Sequence, residues 1–163
     1  MSEKALTVLN ALLVETFNDI LKVEEQAMRA ATGGRLTINE VHVLDAVGLG
    51  ALRTISEIAA AAMVTVSTMT ITVNRLQKKA LVERVRDDGD GRVVRVRLTP
   101  EGERIVRIHQ DFHRRMAESV TERLELDALD VLTRAMENLQ AFFRSGEAGG
   151  PVEEKQPEEE CGV

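Results

Sequence analysis

The first thirty residues carry apolar side chains at steps of three and four, at Leu6, Leu9, Leu13, Phe17 and Ile20. Positions three and four apart lie on one side of a helix, so this spacing predicts a long amphipathic helix over about residues 4–30. The same periodicity recurs later and predicts five more helices, at about 37–48, 55–62, 66–79, 100–120 and 127–144. The chain is therefore expected to be mostly α-helical.

Threonines mark where several of these helices begin. Thr37 with Glu40, and Thr54 with Glu57, form the capping-box pattern, in which each side chain hydrogen-bonds a backbone N–H of the first turn. Only residues 63–65 separate the third predicted helix from the fourth. Two short helices joined by such a turn are typical of a helix-turn-helix.

The period of the pattern changes after the fourth helix. Val82–Arg86 and Val93–Leu98 alternate apolar and charged residues, as β-strands do, and the polar segment 87–91 lies between them. A β-hairpin directly after a helix-turn-helix is the winged variant of that motif. The predicted fold is mostly α with a small β-hairpin wing. It comprises a winged helix-turn-helix domain over 36–99, helical regions over 1–30 and 100–144, and a tail over 145–163.

The net charge of −6 is distributed unevenly over the 163 residues. Residues 145–163 are rich in Gly, Pro and Glu and carry −5, so they are expected to form a disordered acidic tail. Residues 52–107, which include most of the winged segment, carry +4. A positive patch, rather than a positive total, is the footprint of polyanion binding, so the total does not argue against nucleic acid.

Composition also narrows the setting and the class of function. Cys161 is the only cysteine, which excludes an internal disulfide and favours a reducing, cytoplasmic setting. No apolar run approaches the roughly 20 residues that cross a bilayer, and no signal peptide is recognisable, so no membrane association is expected. The sequence has no recognisable Ser-His-Asp set, phosphate loop or carboxylate pair. The chain is therefore not predicted to be an enzyme, and no cofactor is expected.

The fourth predicted helix carries side chains suited to contacting DNA. Small hydroxyl groups reach phosphates or base edges in the major groove, Asn74 is suited to adenine, and Lys79 is suited to phosphates. Arg92, in the hairpin turn, is suited to the minor groove. The predicted DNA-contacting residues are Thr65, Ser67, Thr68, Thr70, Ile71, Asn74, Arg75, Lys78, Arg86, Asp90 and Arg92. The alternative is that Ser and Thr are helix caps and that strand arginines lie over the sheet.

Residues 65–102 resemble the recognition helix and wing of the MarR family of winged-helix regulators. In that family the wing has Asp-x-Arg ahead of a strand that ends in Leu-Thr-x-x-Gly, and Asp90, Arg92, Leu98, Thr99 and Gly102 match this spacing. The resemblance continues over 6–144 and is greatest to the fatty-acid-biosynthesis repressor branch. The segments behind that assignment are FNDILKVEE (17–25), LTINEVHVLDAVG (36–48), MVTVSTMT (63–70) and HQDFHRRM (109–116).

The resemblance implies a homodimer formed by the first and the last two helices, bound to a pseudo-palindromic operator in double-stranded DNA. The two recognition helices are then expected to lie about 34–36 Å apart. It further implies a repressor of fatty-acid biosynthesis genes that responds to a long-chain acyl group on acyl carrier protein. By position, the residues expected to line the ligand pocket are Phe17, Leu21, Met28, Val43, Val47, Phe112 and Met116.

The sequence departs from the family pattern at three positions. The family commonly has Arg-Arg at the wing tip, where this chain has Gly91 before Arg92. The glycine that usually ends the recognition helix is replaced by Ala80. Position 71, often basic or polar in the family, is Ile71, which is suited to contacting a thymine methyl group.

Three alternatives remain open from the sequence. His109 and His113 share one helix face, and with His42 they form a set that can bind Zn²⁺, as in zinc-responsive members of the family; otherwise they hydrogen-bond across the helix packing. A small aromatic or lipophilic ligand is a second possible effector. The third alternative is a module for protein interaction alone. Thiol sensing is not expected, because the one cysteine lies in the tail.

Overall fold

The structure is a computed structural model and describes residues 2–86, 94–122 and 124–145. Its elements in chain order are α1 (Glu3–Thr32), α2 (Ile38–Val47), β1 (Arg53–Thr54), α3 (Ile55–Ala61), α4 (Val66–Lys78), β2 (Val82–Arg86), β3 (Val94–Leu98), α5 (Pro100–Thr121) and α6 (Leu126–Arg144). The predicted order of helices and strands and the mostly α class with a small β wing are confirmed. The chain divides into two compact units between Met116 and Ala117, within α5.

The predicted threonine caps are present. The N–H of Glu40 donates to Oγ1 of Thr37 at 3.3 Å, and the N–H of Thr37 donates to Oε2 of Glu40 at 3.0 Å. Thr54 and Glu57 form the same reciprocal pair, at 2.6 and 3.3 Å. Each capping box satisfies two backbone donors that a helix otherwise leaves unpaired, so the beginnings of α2 and α3 are determined locally.

The wing belongs to a three-stranded antiparallel sheet with strand order β1-β3-β2. Val82 pairs with Leu98 and Arg86 with Val94, as expected for the predicted hairpin. The third strand was not predicted. It consists of Arg53 and Thr54, which pair with β3, and two residues are too short to show a period.

The apolar core lies in the winged helix-turn-helix, with contributions from the end of α1 and the beginning of α5. Its fully buried large side chains are Met28, Val41, Leu44, Val47, Ile58, Met69, Val73, Leu76, Val82, Val96, Ile105 and Val106. The helical period groups Val66 with Met69, Val73 and Leu76 in one apolar stripe of α4, but the side chain of Val66 is exposed. It lies in the first turn, beyond the reach of the core.

The Leu-Thr-x-x-Gly segment fixes the start of α5 against the turn after α4. The Thr99 hydroxyl donates to the carbonyl of Ala80 at 2.8 Å and accepts from the N–H of Gly102 at 3.2 Å. A Cβ atom on Gly102 would lie 2.2 Å from the carbonyl oxygen of Leu81, which is far inside van der Waals contact. This position therefore requires glycine because two backbones approach each other, not because of its φ angle.

The helices at the two ends of the chain bury much less. Within the described part of α6 no residue is buried, and α1 buries only Glu24, Met28 and Thr32. The large apolar residues that α1 exposes are Leu6, Val8, Leu9, Leu12, Leu13, Val14, Phe17, Leu21 and Val23. Such extended exposed apolar faces mark sites of association.

Candidate nucleic-acid interface and ligand sites

The helix-turn-helix consists of α3 and α4, whose axes are bent by 107° across a short turn. Both helices end in a Schellman motif. The N–H of Val64 donates to Ala59 and that of Met63 to Ala60, while Leu81 and Ala80 donate likewise to Leu76 and Gln77. The residue that must adopt positive φ is Met63 (52°) in one case and Ala80 (57°) in the other. Neither is glycine, so each turn is held at some cost in backbone strain.

The exposed face of α4 is centred on Ile71, whose side chain is 57% exposed. At about 100° per residue, Ile71 lies opposite the buried Met69, Val73 and Leu76. Ser67, Arg75 and Lys78 flank it within about 40° and are exposed as well. The face that α4 turns to solvent therefore combines one apolar side chain, a hydroxyl and two cations.

Most threonine hydroxyls of α4 are already hydrogen-bonded within the helix. Thr70 donates to the carbonyl of Val66 at 2.8 Å, and Thr72 donates to that of Thr68 at 3.1 Å. Thr65 caps the helix through the N–H of Thr68, and the two side-chain hydroxyls are 2.9 Å apart. Thr65, Thr68 and Thr70 thus have a local structural role, as the alternative interpretation expected, while Ser67 has no hydrogen-bond partner among the described residues.

Asn74 is bonded to the wing. Nη2 of Arg84, on β2, donates to Oδ1 of Asn74 at 2.8 Å. A bidentate contact to adenine uses both the carbonyl and the amide of asparagine, so in the predicted pairing the Asn74 oxygen would accept from adenine with its second lone pair. In the structure Asn74 joins the recognition-helix candidate to the sheet, and Arg84 lies beside it as an additional exposed cation.

The described part of the wing adds further charge. Arg86 ends β2 with an exposed side chain, and Arg97 pairs with Glu83 across the hairpin at 2.6 Å. Asp90 and Arg92, predicted at the wing tip, lie outside the described residues. Their proposed roles therefore stay predictions from the sequence.

Lys79 was expected to contact phosphate, but the structure engages it internally. Its Nζ lies 2.8 Å from both carboxylate oxygens of Glu40 and donates to the carbonyl of Arg35 at 2.9 Å. Burial by itself would raise the pKa of the Glu40 carboxyl, but the hydrogen bonds from Lys79 and the Thr37 backbone keep it below the usual value of 4.5. This ion pair fastens the end of α4 to the start of α2.

A groove of about 670 Å³ lies along α1 and α5. Its lining residues are Thr16, Asp19, Ile20, Val23, Ala27, Met28, Ile108, Asp111, Phe112, Arg115 and Met116. The lining is mostly apolar with charged groups among it, and the volume is in the range of small-molecule sites.

The groove contains three of the seven predicted pocket residues, Met28, Phe112 and Met116. Val43 and Val47 are instead buried in the core, because they lie on the face of α2 that packs inside the winged region. Phe17 and Leu21 are exposed outside the groove. The helical repeat of α1 instead places Ile20 and Val23 in the lining of the groove.

The three histidines converge on Glu24, a buried residue of α1. Oε1 of Glu24 lies 3.0 Å from Nε2 of His42 on α2, and 2.7 and 3.0 Å from Nε2 of His109 and His113 on α5. The Nε2 atoms of His109 and His113 are themselves 3.0 Å apart. We refer to Glu24, His42, His109 and His113 as the histidine cluster.

Within the cluster, Glu24, His109 and His113 have the donor set and the spacing of a metal site, because their ligand atoms all lie within 4.8 Å of one another. Ligand atoms about 2.0–2.1 Å from a tetrahedral Zn²⁺ lie about 3.3 Å from one another, close to the distances found here. Burial alone would raise the pKa of Glu24, but hydrogen bonds from His42 and His109 and the nearby histidine charges lower it overall. The carboxylate is thus kept ionised, as a ligand must be. Nδ1 of His109 is buried without a hydrogen-bond partner among the described residues.

Comparison with known proteins places this architecture. A family model described as MarR family matches residues 36–93. The crystal structure of Streptococcus pneumoniae FabT in complex with DNA is 32% identical in sequence, with a TM-score of 0.78 over 86% of this chain and 98% of FabT. The chain belongs to the MarR family. A MarR family protein from Bacillus stearothermophilus is 26% identical, with a TM-score of 0.65 over 88% of this chain and 99% of that one.

Among curated proteins, the uncharacterized HTH-type transcriptional regulator YsmB of Bacillus subtilis is 45% identical over 73 residues. The match covers 42% of this chain and spans half the length of YsmB. These MarR-type relatives are transcriptional regulators and not enzymes, as predicted.

No single described helix is long and apolar enough to cross a membrane. Taken together, α3 and α4 are long and apolar enough to cross a membrane, but only by length and composition, and they are bent by 107°. Its apolar residues Ile58, Met69, Val73 and Leu76 are buried in the core.

Glu24 is the functional candidate that sequence analysis missed. A signal for it exists, because Phe17, Leu21, Glu24 and Met28 follow steps of four, three and four along α1. An acidic residue in such a series needs a buried polar partner, and three histidines were available elsewhere in the chain. What the sequence did not reveal is that α1, α2 and α5 bring the four side chains to one point.

Proposed function

We propose that this chain is a DNA-binding transcriptional repressor that acts as a homodimer on double-stranded DNA, with α4 in the major groove. The observation that carries the proposal is the exposed face of α4, where Ser67, Arg75 and Lys78 surround Ile71 beside the arginines of β2. The similarity to FabT in complex with DNA over nearly its whole length supports it. Phosphate contacts by the cations supply affinity, while the centre of the face contacts base edges.

DNA binding is tested with a labelled random-sequence duplex, measured by fluorescence anisotropy at 50 and 200 mM salt. We expect binding at low salt that weakens steeply with salt. Arg75→Ala combined with Lys78→Ala removes two cations from each protomer and should lower the slope of log affinity against log salt by about 4 for the homodimer. Lys22→Ala, an exposed cation of α1, is the control and should leave the slope unchanged. No binding at 50 mM salt would overturn the proposal and favour a module for protein interaction alone.

The wing tip is proposed to contact the minor groove through Arg92. Replacing Arg92 by Ala is expected to weaken operator binding by about 1–3 kcal/mol, as for other arginines inserted in a groove. Arg107→Ala, which removes an arginine paired with Glu103 on α5, serves as the control. Unchanged affinity of the Arg92 variant would refute the role assigned to the wing.

The proposed effector is a long acyl chain, carried on acyl carrier protein, that tightens operator binding at fatty-acid biosynthesis genes. Support comes from the 32% identity with FabT and from the mostly apolar groove along α1 and α5. We expect acyl carrier protein with a long acyl chain to tighten binding in the anisotropy assay. Ile20→Trp, which fills the groove, should abolish the response, while Lys22→Trp, at an exposed polar position outside the groove on the same helix, should keep it. No response of the unaltered chain would remove this effector.

A divalent cation is the second candidate effector, and the histidine cluster favours it. The donors, the imidazole nitrogens of His109 and His113 and a carboxylate oxygen of Glu24, suit Zn²⁺, whose binding would fasten α1 and α5 together beside His42. Titration with Co²⁺, followed by its visible absorption, should show one tetrahedral site per chain that Zn²⁺ displaces. Glu24→Gln should lose most of this affinity, and Glu25→Gln, an exposed neighbour, should retain it. Absence of stoichiometric binding at micromolar metal would exclude the cation.

A further inference from the structure

We propose that Ile71 contacts the C5-methyl group of a thymine in each half of the operator and so determines a thymine at that position. The inference rests on the proposed DNA binding and adds to it the chemical identity of one recognised base. Ile71 is an apolar side chain on an exposed surface that is otherwise polar and cationic.

The placement of Ile71 is that of a base-contacting residue. It lies in the second turn of α4, at the middle of the face that is opposite the buried Met69, Val73 and Leu76. With 57% of its surface exposed, it contributes little to the core. When a recognition helix enters the major groove, the middle of its solvent face in the first turns is closest to the base edges.

Most polar neighbours of Ile71 already make hydrogen bonds within the protein. The hydroxyls of Thr70 and Thr72 donate to the helix backbone, and the Asn74 oxygen accepts from Arg84. Arg75 and Lys78 are suited to phosphates, which carry no sequence information. The remaining uncommitted side chains at the centre of the face are Ser67 and Ile71.

Thymine is the base whose chemistry matches. In the major groove the four bases present hydrogen-bond donors and acceptors, and thymine alone adds an apolar group, its methyl. An isoleucine cannot hydrogen-bond, so a cytosine amino group or a purine edge placed against it would lose water without compensation. Contact with thymine buries apolar surface on both partners instead.

A protein partner is a poorer match for this surface. The apolar area is a single side chain, surrounded by Ser67, Arg75 and Lys78, whereas protein interfaces bury a continuous apolar centre. The flanking cations complement the phosphates on either side of a groove. The size of the patch corresponds to one methyl group rather than to a docking surface.

The test begins with an operator selected from a random duplex library by the full chain. Each thymine of a half-site, and its symmetry mate, is then replaced by deoxyuridine, which removes only the methyl group. At one position we expect binding to weaken about fourfold per half-site, and about fifteenfold for both halves together. I71A should bind the parent operator correspondingly less well and should show no further loss with deoxyuridine at that position. I71V, which keeps a branched side chain, should retain most of the sensitivity.

The outcomes separate the inference from the proposed function. Alanine favours helix more than isoleucine does, so I71A is expected to fold, and its helical circular dichroism serves as the check. If no duplex is bound or selected, DNA binding itself fails and the inference with it. If an operator is selected but every deoxyuridine affects the unaltered chain and I71A equally, or if the operator lacks thymine at the contacted positions, only the role of Ile71 is overturned.

Discussion

The winged region and the terminal helices place their apolar residues in opposite ways. Among the described residues of 36–106, most apolar side chains of α2, α3, α4 and the sheet are buried against one another. In α6 no described residue is buried, and most of α1 exposes leucine, valine and phenylalanine. The winged region therefore has a core that one chain completes, whereas the terminal helices carry apolar faces that suit a second copy.

The surfaces of the two regions differ in the same way. The exposed face of α4 is polar and cationic around Ile71, so the winged region is suited to DNA. The groove and the histidine cluster both involve α1 and α5, so ligand chemistry is concentrated on the helices that flank the winged region. The proposed effector binding and the proposed DNA contact thus involve different elements.

The largest expected effect comes from a charge in the apolar face of α1. In the proposed homodimer, Leu13→Lys would place two lysines at a symmetric interface and should weaken dimer formation about 1,000-fold, or about 4 kcal/mol. Sedimentation equilibrium measures the effect. Asn18→Lys adds the same charge on the opposite side of α1 and should change association little. A Leu13→Lys variant that remains dimeric would contradict the assignment of this face.

The winged region is best disrupted at Gly102. A methyl group there would lie 2.2 Å from the carbonyl oxygen of Leu81, so Gly102→Ala must push α5 away from the turn after α4. We expect a loss of about 3 kcal/mol in the free energy of unfolding, measured by urea denaturation. Gly33→Ala has open space but a φ of 60°, and should cost only about 1 kcal/mol. Equal losses would show that the close approach at Gly102 is unimportant.

The ion pair between Lys79 and Glu40 gives a smaller, pH-dependent effect. Lys79→Met leaves a buried carboxylate without its cation and should cost about 2 kcal/mol at neutral pH. The pKa of Glu40 is lowered in the folded chain, so its stabilisation is present above the usual value of 4.5 and is lost as pH falls through the folded pKa. The difference between the two proteins should therefore narrow below pH 4.5.

Urea denaturation across this range provides the measurement for the Lys79 variant. Lys78→Met removes an exposed neighbouring cation and should cost less than about 0.5 kcal/mol at any pH. A difference for Lys79→Met that stays constant from neutral to acidic pH would show that Lys79 acts through packing rather than through charge.

The fold was largely predictable because its signals are local. The capping boxes of Thr37 and Thr54 and the change of period at Val82 depend on residues a few positions apart. The strand of Arg53 and Thr54 was missed because it exists only by pairing with β3. Likewise Lys79 has the pattern of an exposed helix end, and only the position of α2 shows that it pairs with Glu40.

The candidate sites were less predictable because they join distant elements. The histidines were recognised as a set, but the carboxylate at their centre, Glu24, comes from 85 positions before His109. The groove combines α1 with α5, so a residue's exact face on each helix decides whether it lines the groove, as Ile20 does and Leu21 does not. Periodicity places residues on a face, but it does not specify which helices face one another.

The smallest predicted effect is a gain in stability at the end of α4. Ala80 is the residue of the Schellman motif that must adopt a positive φ angle. Its φ of 57° lies in the left-handed region, where a residue with a Cβ atom is strained. Ala80→Gly should therefore raise the free energy of unfolding by about 1 kcal/mol. The greater backbone entropy of glycine in the unfolded chain opposes this gain and reduces it. Ala62→Gly is the matched control, since Ala62 caps α3 with a φ of −88° and glycine there should destabilise. If both changes lowered stability, the strain at Ala80 would be too small to matter. A gain only at Ala80 would show that the end of the recognition-helix candidate is held by its surroundings, the Thr99 hydroxyl among them, against its own backbone preference.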